Sequence, residues 1–323
     1  MIYGVSLLYG THGSLDVIAI ADSIRKGDTL ALTTVIGLLA VFVGLLFKIS
    51  GVPMHFWAPD VLEGTTADIA AFLSVASKGA GLILLARLAT ILAPSHESLM
   101  SGIAITISIV SVASMIVGNL GAMQQTSLKR MLAFSSIAHA GYMLAAVAMV
   151  LPGQIDDAMI VLGIYLSIYL FMQLGAFAVV GEVEARSGND RVDSFRGLIT
   201  LAPLSAIGLA VAMLSMIGLP PFGGFWAKLL VMVLLAQQGG WWWVIVASVA
   251  INSIISIGFY GRVLRAMFLE RPVADAARHG PSAGLIGAGC ALALLGLFIF
   301  LSPLESTSTR MADQVRSVLP AGK

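Results

Sequence analysis

Four side chains in this sequence sit where an ionisable group is costly. Lys48, Lys78, His139 and Lys228 each fall within or beside a long apolar run. A charge at the centre of a lipid bilayer costs about 2.5–3.5 kcal/mol on insertion scales, so each of the four asks for a reason. A lysine shielded from water is favoured as the neutral amine, which can load and release a proton as nearby charge or hydration changes. Lysines and a histidine linked by water are therefore a candidate proton relay. Blander readings stand beside this one. Lys48 lies close enough to a helix end to snorkel toward the surface, and His139 taken alone fits a hydrogen-bonded packing histidine. A relay also needs carboxylates to bias it, yet all seventeen acidic residues fall in loops or at helix ends; Asp60, Glu63 and Asp68 come closest.

Two of the lysines neighbour a break in a helix. Ser50, Gly51 and Pro53 follow Lys48, and Gly218, Leu219, Pro220, Pro221, Gly223 and Gly224 precede Lys228. Proline removes a backbone donor and frees carbonyls, which the membrane tolerates only where protein or water satisfies them. Two interrupted helices, each carrying a lysine, fit the internal-repeat pattern of transporters; a pair of structural kinks is the alternative. His55, Trp57, Asp60 and Glu63 form a polar-aromatic group after the first break, equally suited to an interfacial anchor or a functional turn. His12, His96 and His279 are expected in loops, solvated.

The elements that must hold these groups follow from composition. Hydrophobic residues make up 58% of the 323 positions and charged residues 11%, far below the roughly one quarter that a soluble surface requires. The apolar runs are continuous and long enough, at about 20 residues, to cross a hydrocarbon core. They lack the alternation of barrel strands, so they are predicted to be helices. The single Cys290 excludes a disulfide framework, and a net charge of +1 gives no sign of a nucleic-acid partner. No CxxC cluster, glycine-rich nucleotide fingerprint or metal-ligand spacing is present.

The spans are predicted at about 30–57 with its break, 69–92, 102–123, 131–151, 159–183, 201–236 with its break, 241–267 and 285–301. Residues 1–9 are read as the tail of a further helix, and the stretch through Asp16, Asp22, Arg25, Lys26 and Asp28 as a polar loop. One set of alternate loops holds Lys129, Arg130, Arg186, Arg191, Arg196, Arg271 and Arg278, with Arg262 and Arg265 adjoining. The other holds Arg25 and Lys26, with Arg310, Arg316 and Lys323 in the tail. The richer set is expected on the cytoplasmic side.

The run Phe47-Lys48-Ile49-Ser50-Gly51-Val52-Pro53-Met54-His55-Phe56-Trp57-Ala58-Pro59-Asp60-Val61 resembles the antiporter-like subunit N of bacterial NADH–quinone oxidoreductase, respiratory complex I. So do Ala71-Phe72-Leu73-Ser74-Val75-Ala76-Ser77-Lys78, the stretch from Lys129 through Ser135-Ser136-Ile137-Ala138-His139 to Tyr142, and the stretch from Gly218 through Pro220-Pro221-Phe222 to Lys228. The resemblance extends to about Met267. It implies an all-α integral membrane fold, an antiporter-like bundle of inverted repeats with two broken helices. On that pattern residues 1–93 would be the remainder of a first repeat, 94–268 the second, and 269–323 a final helix and polar tail.

By the same resemblance Lys48 is the core lysine of a first half-channel, Lys78 and His139 connect the halves, and Lys228 is the core of the second. The family's first five helices and most of the sixth have no counterpart here, nor does the glutamate expected to pair with Lys48, so the chain reads as N-terminally truncated with its first repeat incomplete. The turn Glu63-Gly64-Thr65-Thr66 and the sequence Phe259-Tyr260-Gly261-Arg262 also depart from the family wording. The implied function is proton translocation in a bacterial inner membrane. This chain would hold no cofactor, while NADH, FMN, iron–sulfur clusters and quinone would belong to partner subunits, membrane and peripheral. The alternatives are a subunit of a sodium/proton antiporter or membrane-bound hydrogenase of the same fold, and a non-conducting scaffold or remnant.

Overall fold

The computed structural model describes residues 1–26, 31–92, 97–272, 281–299 and 309–310. Asp28, His96, Arg278, His279, Arg316 and Lys323 lie outside the described residues. Among those described there is no strand, and the sole bridge joins Ser127 to Arg191. Helices α1 (Ile2–His12), α2 (Val17–Lys26) and α3 (Leu32–Ile49) lead into the first break. After it come α4 (Trp57–Gly64), α5 (Ala67–Phe72), a π-helical turn at Leu73–Ser77, α6 (Lys78–Leu92), α7 (Glu97–Met123), α8 (Leu128–Ala148) and α9 (Ile155–Ser187). Short α10 (Leu198–Leu201) precedes α11 (Pro203–Ile217), the second break, α12 (Gly223–Gln238), α13 (Trp242–Leu269) and α14 (Pro281–Ile299).

Among the described residues, six helices are long and apolar enough to cross a membrane unbroken. The tandem α11–α12 and the apolar α14 bring the crossings to the eight the sequence predicts. The protein is a multi-pass membrane protein. Since crossings alternate in direction, the first broken helix and the second run in opposite directions.

Three local readings change. The stretch expected as a polar loop contains α2, whose Ile20, Ala21 and Ile24 are buried along one face, a spacing that packs one side of a helix even when the other is charged. His12, expected solvated, bonds Ser23 Oγ at 2.9 Å through Nδ1 and Thr34 Oγ1 at 3.0 Å through Nε2, tying α1 to α2 and α3. The first broken helix does not end at Trp57 but resumes there. Pro59 falls in the first turn of α4, where its missing N–H is harmless, and Asp60 faces the positive end of the helix.

Both breaks close alike. Ser50 adopts φ 63°, the only positive φ of a non-glycine residue among those described, and the N–H of Gly51 bonds the carbonyl of Leu46 at 2.9 Å. Gly218 adopts φ 89°, and the N–H of Leu219 bonds the carbonyl of Leu214 at 3.2 Å. This left-handed cap satisfies carbonyls that the helix end would orphan.

Helix α8 runs through the middle, with 94% of its spanning window buried. It can lie close to α7 because Gly118 meets the backbone of Phe134 and Ala138, and Gly141 meets that of Ser111 and Met115. Small residues at such crossings supply the contact that lipid, itself apolar, cannot drive. One end of the bundle is tied by ions. Arg130 reaches Asp60 at 2.8 Å and Glu63 at 2.7 Å, joining α8 to α4. Arg196 reaches Glu270 at 2.9 Å, and Lys129 on α8 reaches Glu184 on α9 at 2.6 Å. This is the end where the arginine- and lysine-rich loops converge.

Candidate functional site

The central helix carries Ser136, His139 and Tyr142 at three-residue steps, which places them along one face. Each meets a polar group from another helix or lies next to one that does. Lys78, with no exposed surface, donates from Nζ to Ser136 Oγ at 2.5 Å, and Ser136 donates on to the carbonyl of Ala133 at 2.6 Å. The π turn just before Lys78 adds a residue to the helix, the kind of local irregularity that often marks functional sites. His139 Nδ1 lies 2.9 Å from the hydroxyl of Tyr165, and its ring is 5.2 Å from that of Tyr169 and 5.7 Å from that of Tyr142.

Lys228 completes the row. Its Nζ sits 4.7 Å above the Tyr142 ring, within reach of the attraction between a cation and an aromatic face. The same nitrogen donates to the carbonyl of Ile217 at 2.9 Å. Ile217 is the last residue of α11, so the break exposes a carbonyl and the lysine two turns later occupies it. Gly218 makes room for this: a Cβ there would stand 2.9 Å from Lys228 Cδ.

The structure thus brings Lys78, His139 and Lys228 into one buried row and leaves Lys48 apart. Lys48 is exposed in this chain and makes no hydrogen bond or ion pair among the described residues, its stem lying against Gly81. At the first break the Trp57 indole N–H takes the carbonyl of Phe47 at 2.8 Å. Ser114 Oγ accepts from the N–H of Val52 at 3.0 Å. Ser50 Oγ is buried there with no hydrogen-bond partner among the described residues.

Several polar neighbours were not legible as site residues. Tyr165 and Tyr169 carry no sequence signal, and Tyr260 stands out only within the stretch Phe259-Tyr260-Gly261-Arg262. Ser135 and Tyr260 share a short hydrogen bond, and Tyr260 also lies 3.0 Å from Met216 Sδ. Gln173 bonds the Tyr169 hydroxyl at 2.9 Å. Asn119 donates to Asn252 Oδ1 at 3.1 Å and to the Tyr142 hydroxyl at 3.3 Å. Asparagine in an apolar span was the available signal. Asn252→Leu should cost about 1–3 kcal/mol, the usual penalty for stranding a buried donor. Adding Asn119→Leu should cost less than the sum of the single changes, because both remove one interaction. Melting of the solubilised protein across this double-mutant cycle checks it, and additive losses would mean the two asparagines act separately.

Among the described residues no group of three or more His, Cys, Asp or Glu side chains is placed to hold a metal ion. Fold and site together define a multi-pass helical membrane protein with two oppositely directed broken helices and a buried basic row between them. Residues 1–256 match the family described as NADH:quinone oxidoreductase/Mrp antiporter, TM, and the chain belongs to that family. It is 36% identical over 310 residues to the NADH-quinone oxidoreductase subunit N of Rubrobacter xylanophilus, covering 93% of this chain and 61% of that one. It is 40% identical over 274 residues to the chloroplastic NAD(P)H-quinone oxidoreductase subunit 2 of Mesostigma viride, covering 84% of this chain and 52% of that one. Among solved structures it superposes on a chain of respiratory complex I from Thermus thermophilus with bound aureothin at a TM-score of 0.75 and 30% identity, covering 94% of this chain and 64% of that one. The chain therefore spans between half and two thirds of the length of the relatives it matches.

Proposed function

We propose that this chain acts as a proton-translocating membrane subunit, of the N type, in an NADH–quinone oxidoreductase of a bacterial inner membrane. The observation that carries the reading is the buried row from Lys78 through Ser136, His139 and Tyr142 to Lys228, ending on the carbonyl freed at the second break. Each member can hold or pass a proton. Lysine does so as amine and ammonium, histidine through two ring nitrogens, and the hydroxyls as donor and acceptor together. Lys48 is assigned to the same path beside the first break. The chain itself contributes no redox or nucleotide site; NADH, FMN, iron–sulfur clusters and quinone belong to partner subunits, whose electron transfer drives the proton steps. The opposite directions of the two broken helices support division into repeats at about residues 93 and 268. The arginine-rich, ion-paired end is assigned to the cytoplasm. A sodium/proton antiporter subunit is the second reading, favoured by the Mrp antiporters within the same family.

Lys78→Met tests the reading. Methionine fills the space without a titratable group, so Ser136 loses its donor. The assembled complex should form, while redox-linked proton uptake into inverted vesicles falls by about a hundredfold, the lower end of what losing an acid–base group costs. Undiminished uptake per unit of NADH oxidised would remove Lys78 from the path.

A further inference from the structure

A polar cavity of about 780 Å³ opens at the ion-paired end of the bundle, between the α4–α5 turn, the start of α8 and the end of α9; Thr65, Asp68, Lys129, Glu182, Glu184 and Arg186 are among its lining residues. Lys129 was expected as a loop charge, but it is 4% exposed. Its Nζ donates to Glu184 Oε1 at 2.6 Å and to the carbonyl of Thr65 at 3.0 Å. An isolated pair on a wet surface is worth little. This one is held where α4–α5, α8 and α9 meet, and its backbone is fixed by Asp190, whose Oδ2 accepts from the Lys129 N–H at 3.0 Å.

The register of α8 connects this pair to the buried row. Ser136 lies seven residues after Lys129, two turns along the same helix face and about 10 Å deeper at 1.5 Å per residue. Ser136 is the partner of Lys78. The chain from Thr65 to Lys78 descends against α9 and meets α8 at both ends, at Lys129 and at Ser136, and buried Ser74 lies on it, bonded to the Ala71 carbonyl. The cavity thus ends on an ion pair standing directly above the first lysine of the row. We propose that Glu184 and Lys129 form the proton intake of that row, loading Lys78 from the cavity. This rests on the proton-translocating function proposed above.

The step conserves protons. A hydronium ion in the cavity protonates the Glu184 carboxylate and leaves as water. The neutral acid loosens its hold on the Lys129 ammonium, which passes one proton inward through water to the Lys78 amine. The Lys129 amine then takes the proton from Glu184, restoring the ion pair. One proton has moved from the cavity to Lys78, and both intake groups have returned to their starting charge. Glu63 from α4, Asp68 from α5, and Glu182 and Arg186 from α9 face the same cavity, with Asp190 behind Lys129. The surplus of carboxylates draws protons in.

The test compares Glu184→Gln with Lys228→Met in the complete complex, solubilised in detergent so that no gradient opposes turnover, reading NADH-driven quinone reduction. With Glu184→Gln the rate should fall at least about tenfold at alkaline pH, where protons are scarce, and less at mildly acid pH. Added formate, a small weak acid able to carry protons into an open cavity, should restore it. Lys228→Met lies beyond the intake, and formate should not restore it. A Glu184→Gln rate equal to that of the unaltered complex, or one equally low at every pH and unmoved by formate, would overturn the intake and leave Glu184 a structural partner of Lys129. Full quinone reduction by Lys228→Met in detergent, together with undiminished proton uptake by the same variant in inverted vesicles, would instead sink the proton-translocation reading itself, whatever Glu184→Gln does.

Discussion

Lys228→Met in the assembled complex should leave assembly intact and reduce redox-linked proton uptake by about a hundredfold, the scale of losing an essential acid–base group. Assembly should survive because methionine matches the length of the lysine stem and adds no charge to a site that is 4% exposed. What it removes is specific: the donor to the Ile217 carbonyl at 2.9 Å and the cation above the Tyr142 ring. The freed carbonyl at the break then has only water to satisfy it. Lys228→Arg should also fail, for a different reason. A guanidinium could still bond Ile217, but it stays charged at any accessible pH and cannot release its proton. Proton uptake into inverted vesicles at equal complex content separates the cases. If arginine pumps as well as lysine, Lys228 is a fixed charge and the relay does not run through it.

Gly224→Ala should prevent the second break from forming, with a loss of more than about 3 kcal/mol. A Cβ at position 224 would lie 1.8 Å from the carbonyl oxygen of Ser215 and 2.4 Å from Met172 Cε. The first is a backbone atom and cannot rotate away, so α11 and α12 would have to separate. Separation also breaks the bond from the Gly224 N–H to Ser215 Oγ at 3.0 Å and moves Ile217 away from Lys228. Gly261→Ala is the control: no heavy atom lies within 4 Å of a Cβ built there, and alanine favours a helix over glycine by roughly 1 kcal/mol. Yield and melting temperature of the detergent-solubilised protein decide the matter. A Gly224→Ala protein that melts with the unaltered one would mean that α11 and α12 do not approach as closely as described.

The sequence by itself determined the class, the number of crossings and where helices must break. Composition and run length suffice for the first two, because lipid admits only a backbone that satisfies its own hydrogen bonds. Proline and glycine suffice for the third, since their effects on φ and on the N–H donor are local. It also marked Lys78, His139 and Lys228, because an ionisable residue inside an apolar run is visible without any structure. What stayed illegible depends on helices that are far apart in sequence. Nothing local to Ser136 says that Lys78 will reach it, and the three-residue steps to His139 and Tyr142 mean little until α8 is known to be the central helix. Lys48 shows the converse. Its motif is as strong as that around Lys228, yet only the packing of α3 against α1 and α6 decides that its ammonium points out of this bundle. Lys129 went the other way, from an expected loop charge to a buried ammonium paired with a half-buried carboxylate, because Glu184 lies fifty-five residues later and only the shared end of α8 and α9 brings them together. A residue's cost of burial is written in its type, but the partner that offsets that cost is chosen by the tertiary fold.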